Sequence, residues 1–573
     1  MKNIIFDISF RTYQPSARKD KAICGIDNLG EIHFRRDKMA QHEDTLNGAN
    51  SSKDTSTLIL AIDIGSSSVR CIAYDLNLHP IVSIASKLQA INPNGGSIRI
   101  SQVITTVESC IDSMLKNIRQ KIKEFTIVRV CISSFVMNLI GIADDEIVEN
   151  GTLSYACNLH EVGKECGRLI AMLGNEYEQY RQRTGCCIHS SYALPQLIHF
   201  YSKCENSEKL IQLPQLWTTI SSFLISKWTG ASDVADIPIS FSEASWTGMF
   251  NFRKCCWDYN AILPDKCRDC LPKIQKGNES FFISDNSKYG ERWPELRNAE
   301  LHLGVGDGAC ANIGSKATNT NRIAVTIGTS AACRAILKLG RVGADEDSLS
   351  FEIPPGLWCY RIDLNHVLLG GAITDGGSVI EWARELMNLT DDDAFEKCLN
   401  EVYAMICADS NDLDRQKLIM LPFLSGERST GWRDGATGMV YGLSRKTTQA
   451  DFLRCAMEGV MLRISAVLRL LISEMEKRSH DEIVILVSGK ALECNATWRK
   501  MLANFSRGLC VVVDAEGVQE STSRGAALLA SSVGWPNEEA IFVKHKEITP
   551  LNESSFSLLD KQESLITSIS KHW

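Results

Sequence analysis

The sequence predicts an α/β protein of two domains, each a mixed sheet flanked by helices, facing each other across a cleft. Three observations predict it. The chain has 573 residues, 44% of them apolar, which is enough for two cores rather than one. A short apolar, β-branched run, LILAIDI from Leu58, turns at GSSS and returns as VRCIAYD. The same strand–turn–strand pattern recurs at residues 322–338, RIAVTIGTSAACRAILK, so the core reads as duplicated.

After the first hairpin, a turn at Asn77–Pro80 leads to a third strand, IVSIAS. A helical stretch over about 101–124 precedes the strand TIVRVCIS. In the second half, Thr448 and Asp451 form a capping box. Beyond them Leu453, Ala456, Met457, Val460, Met461, Ile464 and Leu468 make the wide apolar face of a helix. EIVILV is a strand entering Ser488-Gly489, a helix follows over 495–506, and VVVD with the helix GAALLASS closes the core. The expected boundaries are 58–316 and 320–545. Residues 1–56 are a polar extension, disordered or a targeting segment, and 546–573 are a C-terminal tail.

Composition narrows the function. A net charge of −8 and a pI near 5.9 lack the basic footprint of a nucleic-acid binder. No apolar run is long enough for a transmembrane helix, and no membrane association is expected. The 21 cysteines, odd in number and scattered, point to reduced thiols and a cytoplasmic setting, or an organelle if the N-terminal extension is a transit peptide. Cys255, Cys256, Cys267 and Cys270 contain one C-x-x-C pair, but without zinc-type spacing in the second pair they read as connecting chain.

Four elements carry chemistry. In Asp63-Ile64-Gly65-Ser66-Ser67-Ser68-Val69-Arg70 a carboxylate ends a buried strand beside a corner whose N–H groups and hydroxyls suit an oxyanion. A carboxylate there also suits Mg2+. Gly328-Thr329-Ser330 is a similar corner. In Gly306-Asp307-Gly308 glycines leave one carboxylate uncrowded at an apparent helix start, where it would be held ionised and able to accept a hydroxyl proton. Ser488-Gly489-Lys490-Ala491 is a strand-to-helix loop of the kind that meets nucleotides. Each alone is also an ordinary polar turn, helix cap or βα connection. Together, on a duplicated frame, they point to one polyphosphate held from both sides.

These elements resemble the FGGY carbohydrate kinases, a branch of the actin-like ATPase superfamily, over nearly all of residues 58–535. DIGSSSVR resembles the family's first phosphate motif, with Ser66 where Thr is usual. VTIGTSAACR is similar to the second, and GVGDG to the block bearing the catalytic Asp. The resemblance implies two actin-like (ribonuclease H-like) domains and phosphorylation of a carbohydrate hydroxyl by ATP. It implies Asp307 as the general base and Asp63 as the Mg2+ residue. ATP contacts would come from Gly65, Ser66, Ser67, Ser68, Arg70, Gly328, Thr329, Ser330, Gly377, Gly489, Lys490 and Ala491.

Substrate contacts would come from Arg99, Tyr155, Asn158, Gly306, Asp307 and Gly308. Segments such as PFLSGERSTGWRDGATGMVYGL look most like gluconokinase-type members, which makes gluconate the expected substrate. The chain departs from the family pattern on the substrate side. Arg99 stands where an acid is usual, and Tyr155-Ala156-Cys157-Asn158-Leu159 lacks the family's acid and base. Lys490 replaces a second glycine. A catalytically weak sugar- or nucleotide-binding regulator on the same fold is the alternative, and a homodimer is an open expectation.

Overall fold

The computed structural model describes residues 56–570, apart from 94, 158, 206–211, 259–261, 340–350, 408–417, 490, 493–494, 507–510, 516–519, 532–534, 536–544 and 548–555. Asn158, Lys490 and the extension over 1–55 lie outside the described residues.

The first sheet starts from the run the sequence singles out. β1 (Ser56–Ile64) is buried on both faces from Leu58 onward. It pairs antiparallel with β2 (Ser68–Asp75), which pairs with β3 (Pro80–Lys87). Helix α1 (Ile100–Lys121) buries Val103, Val107, Ile111, Met114 and Ile118 at helical spacing against this sheet. It then delivers the chain to β4 (Phe125–Ser134), parallel to β1. Much later the short helix α2 (Phe241–Ser245) precedes β5 (Ser280–Phe281), β6 (Glu300–His302) and β7 (Val305–Gly306). The order is β5-β6-β4-β1-β2-β3, and β7 also pairs with β4. Helix α3 (Asp307–Gly314) leaves directly from β7.

The second sheet repeats the plan. β8 (Arg322–Ile327) and β9 (Ala331–Lys338) form the returning hairpin, joined by β10 (Trp358–Arg361) and β11 (His366–Ile373). Helix α4 (Gly377–Leu386) follows, then β12 (Ile419–Leu421) in a small separate sheet. Helix α5 (Gln449–Glu476) begins at the Thr448–Asp451 capping box and buries the expected apolar face. β13 (Val484–Ser488) is parallel to β8 as β4 is to β1, and β14 (Val511–Ala515) lies beyond it. Helix α6 (Ser521–Ser531), the edge strand β15 (His545–Glu547) and helix α7 (Phe556–Ile569) end the chain. The order is β10-β11-β9-β8-β13-β14-β15.

One helix ties the two halves. α6 follows the second sheet in sequence, yet Ala526, Ala527 and Ala530 pack on Ile59, Ala61 and Tyr74 of the first. Its small residues also let it meet α3. A Cβ on Gly525 would stand 1.8 Å from the Cys310 carbonyl oxygen, and one on Gly314 1.8 Å from that of Ser521. The terminal stretch is also held: Gln562 of α7 donates to the Met420 carbonyl, and Glu563 meets the buried Arg463 of α5.

Candidate active site

The register of the first sheet assembles the carboxylates. Asp63 of β1 pairs with Ser133 of β4, and Val305 of β7 pairs with the same Ser133 from the other side. Asp63 and Val305 are therefore two strands apart, about 10 Å. Asp307, two residues beyond Val305, is the first residue of α3 with Gly306 as N-cap. Its Oδ1 accepts from the Gly308 N–H at 2.6 Å.

Burial raises both carboxyls of this pair. The Asp63 carboxyl is pushed up to about 7 by burial, with Arg70 opposing and Asp307 and Glu520 adding. Asp307 is also raised by burial, against the pull of Arg334 and the Gly308 N–H. A helix start favours the ionised form of Asp307, and burial works against it.

Two arginines flank the pair. Arg70 Nη1 stands 3.5 Å from Asp63 Oδ2, and Arg70 Nε is 3.6 Å from Glu520 Oε2. Arg334 of β9 approaches the base through a gap only glycine leaves, since a Cβ on Gly308 would lie 2.9 Å from its Nε. The first corner closes beside them: the Gly65 N–H donates to the Ser68 carbonyl, and Ser66 and Ser67 carbonyls accept from Ala90 and Leu88.

The second corner gathers the remaining nucleotide candidates. Gly328 and Thr329 carbonyls accept from the N–H groups of Gly377 and Gly376 at the start of α4. Gly328, Thr329 and Ser330 are exposed. Gly489 has φ +91°, and a Cβ there would be 2.8 Å from the Ile327 carbonyl oxygen. Thr326 Oγ1 and Ser488 Oγ are hydrogen-bonded at 2.9 Å. Ala491 opens the turn of helix after Gly489. β9 links the two groups, carrying the corner at one end and Arg334 four residues further on.

The remaining sugar-side candidates divide. Tyr155 meets Phe135 edge to face and carries Arg428 over its ring at 5.8 Å. Arg99 is exposed at the start of α1, and its Nη1 donates to Gln89 Oε1 at 3.1 Å. Among the described residues no contact ties Arg99 to Asp63, Asp307 or Arg334.

Sequence reasoning missed several residues around the base. Ser242 Oγ accepts from the Gly306 N–H, and Ser240 Oγ donates to the Gly304 carbonyl, so α2 braces β7. Glu243, fully buried, lies under the same strand. Tyr192 and Tyr360 share a hydroxyl hydrogen bond of 2.6 Å, and Trp432 packs on Tyr192 and His189. His189 Nε2 is 2.9 Å from Asp434 Oδ1. Only the aromatic and charged content of STGWRDG hinted at this wall.

Comparisons with known proteins identify the family. Residues 58–293 match the FGGY family of carbohydrate kinases, N-terminal domain, and residues 324–533 match its C-terminal domain. The chain is 25% identical over 298 residues to a gluconokinase of Bacillus licheniformis, a match covering 51% of this chain and 54% of that protein. It is 22% identical over 486 residues to a gluconokinase of Bacillus subtilis, covering 82% and 86%. A glycerol kinase of Agrobacterium fabrum is 28% identical over 345 residues, covering 59% and 62%. The chain thus spans about half the length of the first of these relatives and most of the second. A crystal structure of gluconate kinase from Lactobacillus acidophilus superposes with a TM-score of 0.72 at 22% identity, covering 90% of this chain and 98% of that one. With both family domains matched over most of its length, the chain belongs to the FGGY family of carbohydrate kinases.

Proposed function

We propose that the chain transfers the γ-phosphoryl group of ATP to a hydroxyl of a small carbohydrate or aldonic acid, gluconate being the best candidate. The observation that carries this reading is the Asp63–Asp307 carboxylate pair, flanked by Arg70 and Arg334 and joined by β9 to a second glycine corner. The adenine side of ATP is assigned to Gly489 and Ala491, and its phosphates to Gly328–Ser330, Gly377 and Gly65–Ser68. Asp307 takes the hydroxyl proton as the substrate oxygen bonds to the γ-phosphorus. The bond to the β-phosphate oxygen breaks, and ADP leaves. Positioning and charge placement supply most of the acceleration.

Asp63 fits a divalent cation: its carboxyl is raised by burial, with Asp307 and Glu520 adding, and a cation there would offset both. When bound with the nucleotide, Mg2+ would neutralise charge on the phosphate oxygens. Arg70, beside Asp63, would add positive charge there. Reduced thiols, free at every described cysteine, suit a cytoplasmic protein.

A coupled ADP-release assay over aldonates, ketoses and polyols tests the reading. Substrate-dependent ADP release by one of these, well above the ATPase background, is expected. Tight sugar or nucleotide binding with no release from any of them would instead make the chain a regulator.

A further inference from the structure

Arg334 is under-used by the phosphoryl-transfer chemistry alone. Its Nη1 is buried and has no hydrogen-bond partner among the described residues. Its Nε reaches to the space over Gly308, next to the base. A buried guanidinium donor left unpaired is costly, so the site favours a ligand that brings an acceptor, and a charged acceptor most of all.

The position distinguishes between anions. The nucleotide phosphates are assigned to the corner at residues 328–330, and Arg334 lies four residues along β9 from Ser330, about 13 Å. Around it the lining changes character. Tyr360 and Tyr192 present paired hydroxyls, and Trp432 adds an aromatic wall, as a polyol chain requires. Arg428 is a second guanidinium, over the Tyr155 ring. Both arginines act electrostatically on the Tyr360 neighbourhood. Asp307 is the carboxylate facing Arg334, and it leaves Nη1 free.

We infer that Arg334 is the specificity-determining residue of the sugar site and binds the carboxylate of an aldonic acid while one of its hydroxyls lies at Asp307. This rests on the phosphoryl-transfer reading above and adds to it the charge of the substrate. It also gives Gly308 a reason: any side chain there would push the guanidinium out of reach.

The test compares D-gluconate with D-sorbitol, the same six-carbon chain with an alcohol in place of the acid, by calorimetry on the full chain without nucleotide. A non-hydrolysable ATP analogue is titrated separately. Wild-type protein should bind gluconate more tightly than sorbitol. Arg334→Met should weaken gluconate by about 10–150-fold, the range of a lost charge-assisted hydrogen bond. The loss on gluconate should exceed that on sorbitol at least tenfold, with the ATP analogue bound as before. Arg334→Lys should recover part of the gluconate affinity, and it serves as the test variant if Met prevents folding. Equal losses on both polyols would overturn the inference, as would weakened analogue binding with gluconate unaffected. Wild-type preference for sorbitol would overturn it too, while leaving the kinase reading to the ADP-release panel.

Discussion

Asp63 and Arg70 face each other across the β1–β2 ladder, and 3.5 Å separates Arg70 Nη1 from Asp63 Oδ2. That distance leaves the ion pair too weak to offset burial, so the Asp63 carboxyl is pushed up to about 7. Between about 4, the ordinary carboxylate value, and about 7, the folded protein keeps a proton that the unfolded chain has released. The stabilisation is full below that window and is lost as pH rises through it. Thermal melts of the ligand-free protein should therefore show Tm falling from pH 5 to pH 8. The effect is at most roughly 4 kcal/mol. Asp63→Asn should flatten the profile; an unchanged profile would assign the pH dependence to another group.

Asp307→Asn should keep nucleotide binding within a few-fold and cut kcat by about 10²–10⁴. Because burial raises the Asp307 carboxyl above its usual range, the acid limb of kcat/KM for the wild type should sit above the ordinary carboxylate value. Activity falls as pH drops through that limb, because the protonated acid cannot accept the hydroxyl proton. Turnover of the Asn variant near that of the wild type would remove Asp307 as the base.

The contact of α3 with α6 fixes the base from behind. Gly525→Ala places a methyl 1.8 Å from the Cys310 carbonyl oxygen, and backbone must move to make room. The cost should be roughly 1–3 kcal/mol, the range for overpacking a tight site. Since α3 begins at Asp307, kcat should fall along with Tm. Differential scanning calorimetry and steady-state kinetics check both, and a fall in Tm with full kcat would uncouple the helix contact from the site.

Why were the corners readable and their meeting not? Asp63–Arg70 and Thr326–Arg334 are local patterns, a buried apolar run broken by glycine and hydroxyls, so both hairpins and the repeat appear in sequence order. The convergence is non-local. Asp63 and Val305 meet only because both pair with Ser133, 70 and 172 residues away respectively. Arg334 is visible as a strand residue, but its approach to Asp307 depends on the missing Cβ of Gly308 in another element. The Tyr192–Tyr360 pair joins residues 168 apart and has no local signature. The helix start at Asp307 is a local feature, whereas the burial that raises its carboxyl depends on what packs over it from elsewhere in the chain.

Glu243 shows the same limit, and its role can be measured. Its Oε2 accepts from Ser221 Oγ at 2.7 Å and Thr219 Oγ1 at 2.9 Å, and its Oε1 from Ser134 Oγ at 3.2 Å. Burial raises its carboxyl, and these three hydroxyls pull it back. A Cβ on Gly304 would stand 3.0 Å from Glu243 Oε1, so the carboxyl lies under the segment that leads through β7 to Asp307. Glu243→Ala strands the three buried hydroxyls and opens a cavity, at a cost of roughly 2–4 kcal/mol. Glu243→Gln keeps an acceptor and the volume, and should stay within about 1 kcal/mol of the wild type. If Glu243 positions the base, Ala should lower kcat more than it changes sugar KM, with Gln restoring most of kcat. Were Ala to lower Tm while kcat stayed at the wild-type level, Glu243 would be a packing residue alone, and α2 would brace β7 through Ser240 and Ser242 without it.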